Sequence, residues 1–300
     1  MKRAVAGIIG IAVALAAAGG TSAAPAAQGT LGGYQLVDTW STRAATGVIV
    51  FRTPGGLDAA SDDTVYAVDR AARKVYHLDA AGRQITSFDV TAGQEPIDVA
   101  VTASRVYVIS RTSGEVRTRA GAIVGTFAQV GMTGIGTGPD GRVYISRLGP
   151  GAFGPQAVID VRDAAGTLLE TWSDTGITIQ KACGLDVGAD GRVFMAADSG
   201  VYIWTNKKVS ALLRVRAAIE GPLLADVDVD AQGRIFGTMI AAGQDCLSVP
   251  GSDGEQKLVS WAADGKYAGD ARLGGGMWLS TGPAGGLVAT VSSGSYTGIL

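Results

Sequence analysis

The chain reads as an all-β protein, a six-bladed β-propeller built from four-stranded blades. Three observations carry that reading. A short strand led by a Val-Tyr-like pair recurs six times, Gly-containing turns recur at fixed places around it, and no long stretch shows helical period. The recurring strand is Thr64-Val65-Tyr66, Arg105-Val106-Tyr107, Arg142-Val143-Tyr144, Arg192-Val193-Phe194, Arg234-Ile235-Phe236 and Gly286-Leu287-Val288. Its intervals are 41, 37, 50, 42 and 52 residues. Four strands fit that period, whereas a solenoid repeats every ~20–30 residues and a sandwich does not repeat its turns.

In chain order, residues 1–26 read as a secretory signal peptide. Lys2 and Arg3 precede an apolar run from Ala4 to Ala18, and small residues follow. The run is too short to span a bilayer comfortably. Ala24-Pro25-Ala26 gives the cleavage fit; Ser22-Ala23-Ala24 competes, but Pro25 would follow that cut. No cysteine stands near the cleavage region, which excludes a lipid-anchored form, and no second apolar run is long enough to cross a membrane. Residues 27–300 are therefore expected to form one exported, secreted or periplasmic domain, monomeric and not inserted in a membrane.

Each repeat divides into four short strands. In the fourth these are Cys183 to Gly188, Arg192 to Ala197, Gly200 to Thr205 and Val209 to Val215. Asp140-Gly141, Asp190-Gly191 and Gln232-Gly233 supply the positive φ of two-residue hairpin turns between the first two strands. The last repeat supplies Met277 to Thr281, Leu287 to Val291 and Thr297 to Leu300, one strand short of a blade. An orphan strand, Tyr34 to Trp40, precedes the first repeat and matches other fourth strands such as Thr167 to Trp172. Pairing the orphan with the last repeat would close the ring and remove both free edges.

Composition excludes several function classes. Of 300 residues, 47% are apolar and 17% charged, with a formal net charge of −2, so no field draws the chain to nucleic acid or an anionic membrane. Basic residues such as Arg117, Arg119, Lys207, Lys208, Arg214 and Arg216 are scattered and read as solvated surface. One histidine, His77, leaves too few ligands for a histidine zinc site and too few partners for a serine triad. No Gly-x-Ser-x-Gly elbow is present. His77 falls on a third strand, Lys74 to Asp79, away from the channel.

Units such as Ala182-Cys183-Gly184-Leu185-Asp186-Val187-Gly188-Ala189-Asp190-Gly191-Arg192-Val193-Phe194 resemble the NHL repeat, and the resemblance runs from about residue 54 onward. It implies the propeller scaffold but little about activity, because that scaffold carries enzymes, receptors and scaffolding modules. NHL-type amidating lyases and streptogramin-opening lyases depend on histidines that this chain lacks. Lactonase-like propellers hold a divalent ion with carboxylates, together with a Glu and an Asn near the centre; the one Asn here, Asn206, follows a third strand.

Carboxylates are the remaining candidates. Inner-strand register places Asp58, Asp98, Gly136, Asp186, Asp228 and Ser280 at one height, with Asp226 two positions away. Asp58, Asp98, Asp186 and Asp228 could hold Ca²⁺ or Mg²⁺ in the channel, or each could accept backbone N–H bonds and lock its blade to the next. The second reading is preferred, and no cofactor is required. Asp226-x-Asp228-x-Asp230 is not an EF-hand, since Gly233 falls late and Gly237 stands where the bidentate Glu belongs. Two long second-to-third-strand loops, Leu148 to Gln156 and Ala241 to Gln256, define a recognition face, with Phe153, Trp278 and Tyr296 as ligand-binding aromatics. Cys183 and Cys246 fall in loops of adjacent blades on that face and are expected to pair outside the cell. The expected function is non-catalytic binding of a protein or small-molecule ligand; the alternative is a metal-assisted hydrolase or lyase using the channel carboxylates.

Overall fold

A computed structural model describes residues 51–91, 94–151, 154–179, 181–197, 200–214, 223–240, 256–273, 276–283, 287–293 and 296–299. The segment 1–26, the orphan strand Tyr34 to Trp40, Phe153 and Cys246 lie outside these residues. Five four-stranded antiparallel sheets follow in order. They are β1–β4 (Pro54–Ala59, Val65–Asp69, Lys74–Leu78, Gln84–Asp89), β5–β8 (Pro96–Val101, Arg105–Ser110, Ser113–Thr118, Ile123–Ala128), β9–β12 (Met132–Thr137, Val143–Gly151, Gly154–Arg162, Leu168–Trp172), β13–β16 (Ala182–Val187, Val193–Ala197, Gly200–Thr205, Lys208–Arg214) and β17–β20 (Leu223–Val229, Ile235–Ile240, Gln256–Trp261, Tyr267–Leu273). A three-stranded sheet, β21–β23 (Gly276–Thr281, Leu287–Ser293, Tyr296–Ile299), comes last. The first strands β1, β5, β9, β13, β17 and β21 pack in succession, and β21 returns against β1. The chain is an all-β propeller.

The residues explain why this arrangement is stable. Second strands are buried along their whole length, as in Val65-Tyr66-Ala67-Val68-Asp69 and Val193-Phe194-Met195-Ala196-Ala197. They lie between neighbouring sheets and read as continuous apolar runs for that reason. Outer strands such as β4, β8 and β16 alternate between half-buried and exposed. Buried tyrosines keep their hydroxyls bonded: Tyr66 donates to Arg119 O and Tyr107 to Ala164 O, each 3.1 Å away in a turn of the following sheet.

Two arginines stitch the outer strands in the same way. Arg117 on β7 lies 4.8 Å from the Phe88 ring centroid and donates to Gly121 O (2.6 Å), Asp89 O (2.8 Å) and Glu115 (2.7 Å). Arg162 on β11 repeats the arrangement, 4.2 Å from the Phe127 ring and 2.8 Å from Gly166 O. Arg117 is only 4% exposed, which corrects the expectation that it is solvated surface. Its hydrophobic stem and planar fork suit a buried crossing between sheets.

Two expectations about connections change. The three Gly-containing hairpins expected to be two-residue turns are three-residue connections: Gly138 N donates to Arg142 O and Gly141 N to Gly138 O, with Gly141 at φ 75°. The same bonds recur around Gly188–Arg192 and Asp230–Arg234, so the Gly supplies positive φ in a longer turn than expected. The stretch Leu148 to Gln156 is not a loop. β10 and β11 stay paired to Gly151↔Gly154, with Pro150 opposite Pro155. Facing residues of an antiparallel pair alternate between bonded and non-bonded positions, and two residues without N–H can face each other at a non-bonded one.

Close approach of first strands demands glycine. A Cβ on Gly56 would lie 1.6 Å from Asp98 Oδ1, and one on Gly184 would lie 1.8 Å from Asp226 Oδ1. Gly184→Ala is therefore expected to displace Asp226 and cost about 2 kcal/mol. Gly141→Ala meets nothing within 4 Å and should cost only the positive-φ penalty of about 1 kcal/mol. Urea denaturation compares them; equal losses would contradict the packing account.

Candidate functional site

The six first strands surround a chamber of about 170 Å³ that opens into a wider funnel of about 490 Å³. The last residue of each first strand, namely Ala59, Val101, Thr137, Val187, Val229 and Thr281, borders both spaces. The funnel lies between the turns joining first and second strands, where Ala103, Pro139, Ala189, Ala231 and Pro283 form an apolar rim. This is the end opposite the second-to-third-strand connections, so the concave face is not the predicted recognition face.

Five aspartates line the chamber: Asp58, Asp98, Asp186, Asp226 and Asp228. Pairing with the second strand fixes their heights. Asp58, Asp186 and Asp228 face Tyr66, Phe194 and Phe236, while Ala100 and Gly136 face Tyr107 and Tyr144. Asp98 faces Ile109 and Asp226 faces Thr238, so these two stand a level away. The expected single ring containing Asp98 is thus two tiers. Pairing runs unbroken from Asp98↔Ile109 to Val101↔Val106, and the β5–β6 turn, closed by Thr102 N to Arg105 O, is one residue shorter than the turns of the first, third, fourth and fifth sheets, so counting back from Tyr107 misplaces Asp98.

The carboxylates bond the backbone of the following sheet. Asp58 Oδ2 accepts Val101 N–H at 2.7 Å, Asp98 Oδ2 accepts Ile135 N–H at 3.0 Å, Asp186 Oδ2 accepts Val229 N–H at 2.8 Å, and Asp226 Oδ2 accepts Leu279 N–H at 2.7 Å. Asp98 and Asp226 use their other oxygen for the N–H of Val99 (2.8 Å) and Val227 (2.9 Å). Ser280 Oγ accepts Ala59 N–H at 2.9 Å and donates to Asp58 Oδ1 at 3.2 Å, joining the last sheet to the first. Between the third and fourth sheets no Asp is present; Ser146 Oγ donates to Cys183 O at 2.6 Å, and Gly134 and Gly136 let the backbones touch.

Burial pushes all five carboxyls above the usual range. Asp58 rises to about 7, chiefly by desolvation, with the charge of Asp186 adding to it and the Val101 N–H opposing it. Asp98 and Asp226 rise by desolvation and by facing other carboxylates, Asp226 and Asp186 respectively. Asp186 and Asp228 also rise by desolvation, and the charge of Asp186 adds to the rise at Asp228. Asp228 Oδ2 is buried and has no hydrogen-bond partner.

These residues do not fit a divalent-ion cage. Both oxygens of Asp98 and of Asp226 are taken by amides. Among the described residues no group of three or more acidic, histidine or cysteine side chains is placed to hold a metal. One other sequence candidate is relocated. Trp278 is 1% exposed and packs in the apolar core, so it is no surface platform. Tyr296 is on β23, in the three-stranded sheet. His77 lies on β3, stacked on Tyr66 with centroids 4.1 Å apart, far from any acid–base partner in the channel.

No protein-family model matches the sequence, and no curated relative matches it. Among solved structures, the chain is similar to a luciferin-regenerating enzyme (TM-score 0.60, 12% identity, 86% of this chain and 93% of that one). It is likewise similar to a streptogramin B lyase (0.56, 14%, 87% and 95%) and to U3-55K (0.56, 13%, 84% and 90%). Identities this low show the fold alone.

The carboxyl shifts set a pH dependence. Between about pH 4 and pH 7 the folded chain binds protons, at Asp58 and at the other channel carboxyls, that the unfolded chain has released, so stability falls as pH rises through that window. Asp62 and Asp79, held below the usual range by Arg119 and by the Arg83 N–H respectively, lose their contribution only below about pH 4. The Tm is expected to be higher at pH 5 than at pH 8, and Asp58→Asn should narrow the difference by raising the pH 8 value. A flat or inverted profile would contradict the assignment.

Proposed function

We propose that this chain is an exported, NHL-like, six-bladed propeller that binds a ligand or protein partner without transforming it. The observation that carries the reading is the use of the channel carboxylates: four of the five accept the N–H groups of neighbouring sheets instead of standing free as acid, base or metal ligands. Propellers with this fold include enzymes as well as U3-55K and WD40 domains, so the chemistry of the site has to decide. The one histidine is remote from the chamber, and the acidic residues lie where structural bonds require them.

Several further features belong to this reading. The signal-like residues 1–26 would be removed on export, leaving 27–300 as a single domain. Tyr34 to Trp40 would add a fourth strand to the sheet β21–β23, making a sixth blade and covering its edge. Cys183 would pair with Cys246; in support, there is no free cysteine among the described residues. Tyr296 and Phe153 would serve the face carrying the 241–255 segment, while small ligands would use the funnel at the other end.

The test is turnover. Purified protein supplied with Ca²⁺ or Mg²⁺ is offered lactone and ester substrates, with Asp186→Asn as the control. No hydrolysis above the uncatalysed rate is expected. Hydrolysis that is lost in Asp186→Asn would overturn the non-catalytic reading in favour of a metal-assisted hydrolase.

A further inference from the structure

The funnel and chamber differ in chemistry, and the difference specifies a ligand. Among the described residues no lysine, arginine or histidine lines either space, so none of them neutralises the five carboxyls from within. Three of the five have both oxygens engaged: Asp98 and Asp226 each give one to their own strand and one to the next sheet, and Asp58 accepts Val101 N–H and the Ser280 hydroxyl. Asp58, Asp186 and Asp228 share one level, and Asp186 and Asp228 each keep an oxygen to which no protein donor is bonded. Asp58 and Asp186 are half-buried, and Asp228 is 8% exposed with Oδ2 lacking any partner. A buried carboxylate oxygen without a donor is costly, and a ligand donor reaching it would recover that cost.

We propose that this channel binds a primary ammonium group on a short aliphatic stem, the ammonium set among Asp58, Asp186 and Asp228 and the stem lying in the throat and funnel. The proposal deepens the non-catalytic binding reading and rests on it. Three features select this class. An ammonium has three N–H donors and no acceptor, which matches three carboxyls at one level. Four of the six throat residues are apolar (Ala59, Val101, Val187 and Val229), and the rim beyond carries Pro139 and Pro283, surroundings that favour methylenes over a hydrated ion. A divalent cation calls for about six to eight oxygen ligands, more than these three carboxyls bring together, since Asp58 and Asp186 already accept protein donors. The groups facing the bound charge are Asp58 from β1, Asp98 from β5, Asp186 from β13, and Asp226 and Asp228 from β17, with Thr137, Ser280 and Thr281 as neutral neighbours.

Calorimetric titration of the purified protein with n-butylammonium chloride at pH 8 tests the proposal, at constant ionic strength. Expected is saturable one-to-one binding, no binding of n-butanol, and weaker binding of methylammonium, which lacks the stem. Asp228→Asn should weaken butylammonium at least tenfold. Because that variant could disturb folding, Ala189→Lys supplies a second measurement: it adds a cation at the exposed rim and should weaken binding about threefold or more. Absence of saturable binding, equal binding of n-butanol, unchanged affinity in both variants, or saturable Ca²⁺ or Mg²⁺ binding in place of butylammonium would each overturn the ammonium site. Those results leave the binding reading standing, which only turnover would overturn.

Discussion

A hydrogen bond from an inner-strand side chain to the backbone of the next inner strand is the interaction on which the ring depends. A propeller sheet is stable within itself through its ladders, but neighbouring sheets share no ladder. Apolar packing between second strands supplies most of the attraction, and it is non-directional. Register between blades therefore needs a directional bond, and the N–H groups on the channel edge of each first strand need acceptors. Asp58, Asp98, Asp186 and Asp226 meet both requirements, and Ser280 does so at the junction of last and first sheets.

The cost of this solution shapes the rest of the centre. Carboxylates in a narrow chamber lose hydration and repel one another, so their protons are held more tightly than in water. The neighbouring first strand must also make room: Gly56 and Gly184 stand where Asp98 and Asp226 reach across. The result is a Gly-apolar-Asp triplet, Gly56-Leu57-Asp58 and Gly184-Leu185-Asp186, in which the glycine receives a carboxylate from the following blade and the aspartate sends one to it. Where both positions are glycine, at Gly134 and Gly136, the backbones touch directly and a serine hydroxyl makes the link.

Much of this is legible in the sequence because it is periodic. The Val-Tyr strands, the Gly turns and the strand limits of the fourth repeat follow from alternation and turn chemistry, and the structure places them within a residue or two. The acidic residues of the inner strands are also visible, and so is their structural use. Four things are not. The short turn from Thr102 to Arg105 hides the level of Asp98, because counting back from Tyr107 assumes the longer turn of the other sheets. The paired extension from Leu148 to Gln156 looks like a loop because Gly and Pro dominate it. Arg117 and Arg162 look like surface charge because burial of a guanidinium depends on the facing Phe88 and Phe127 of the preceding sheet. The apolar funnel is hidden for the same reason: its rim collects one or two small residues from each of several turns.

Amide hydrogen exchange tests the central claim most directly. If side-chain acceptors tie the sheets together, the N–H groups of Val101, Ile135, Val229 and Leu279 exchange only through global unfolding, with protection equal to that of the buried second strands. Their protection would also fall together when Asp58 or Asp226 is replaced by Ala. Exchange at these four amides as fast as in the exposed turns, with the second strands still protected, would contradict the account.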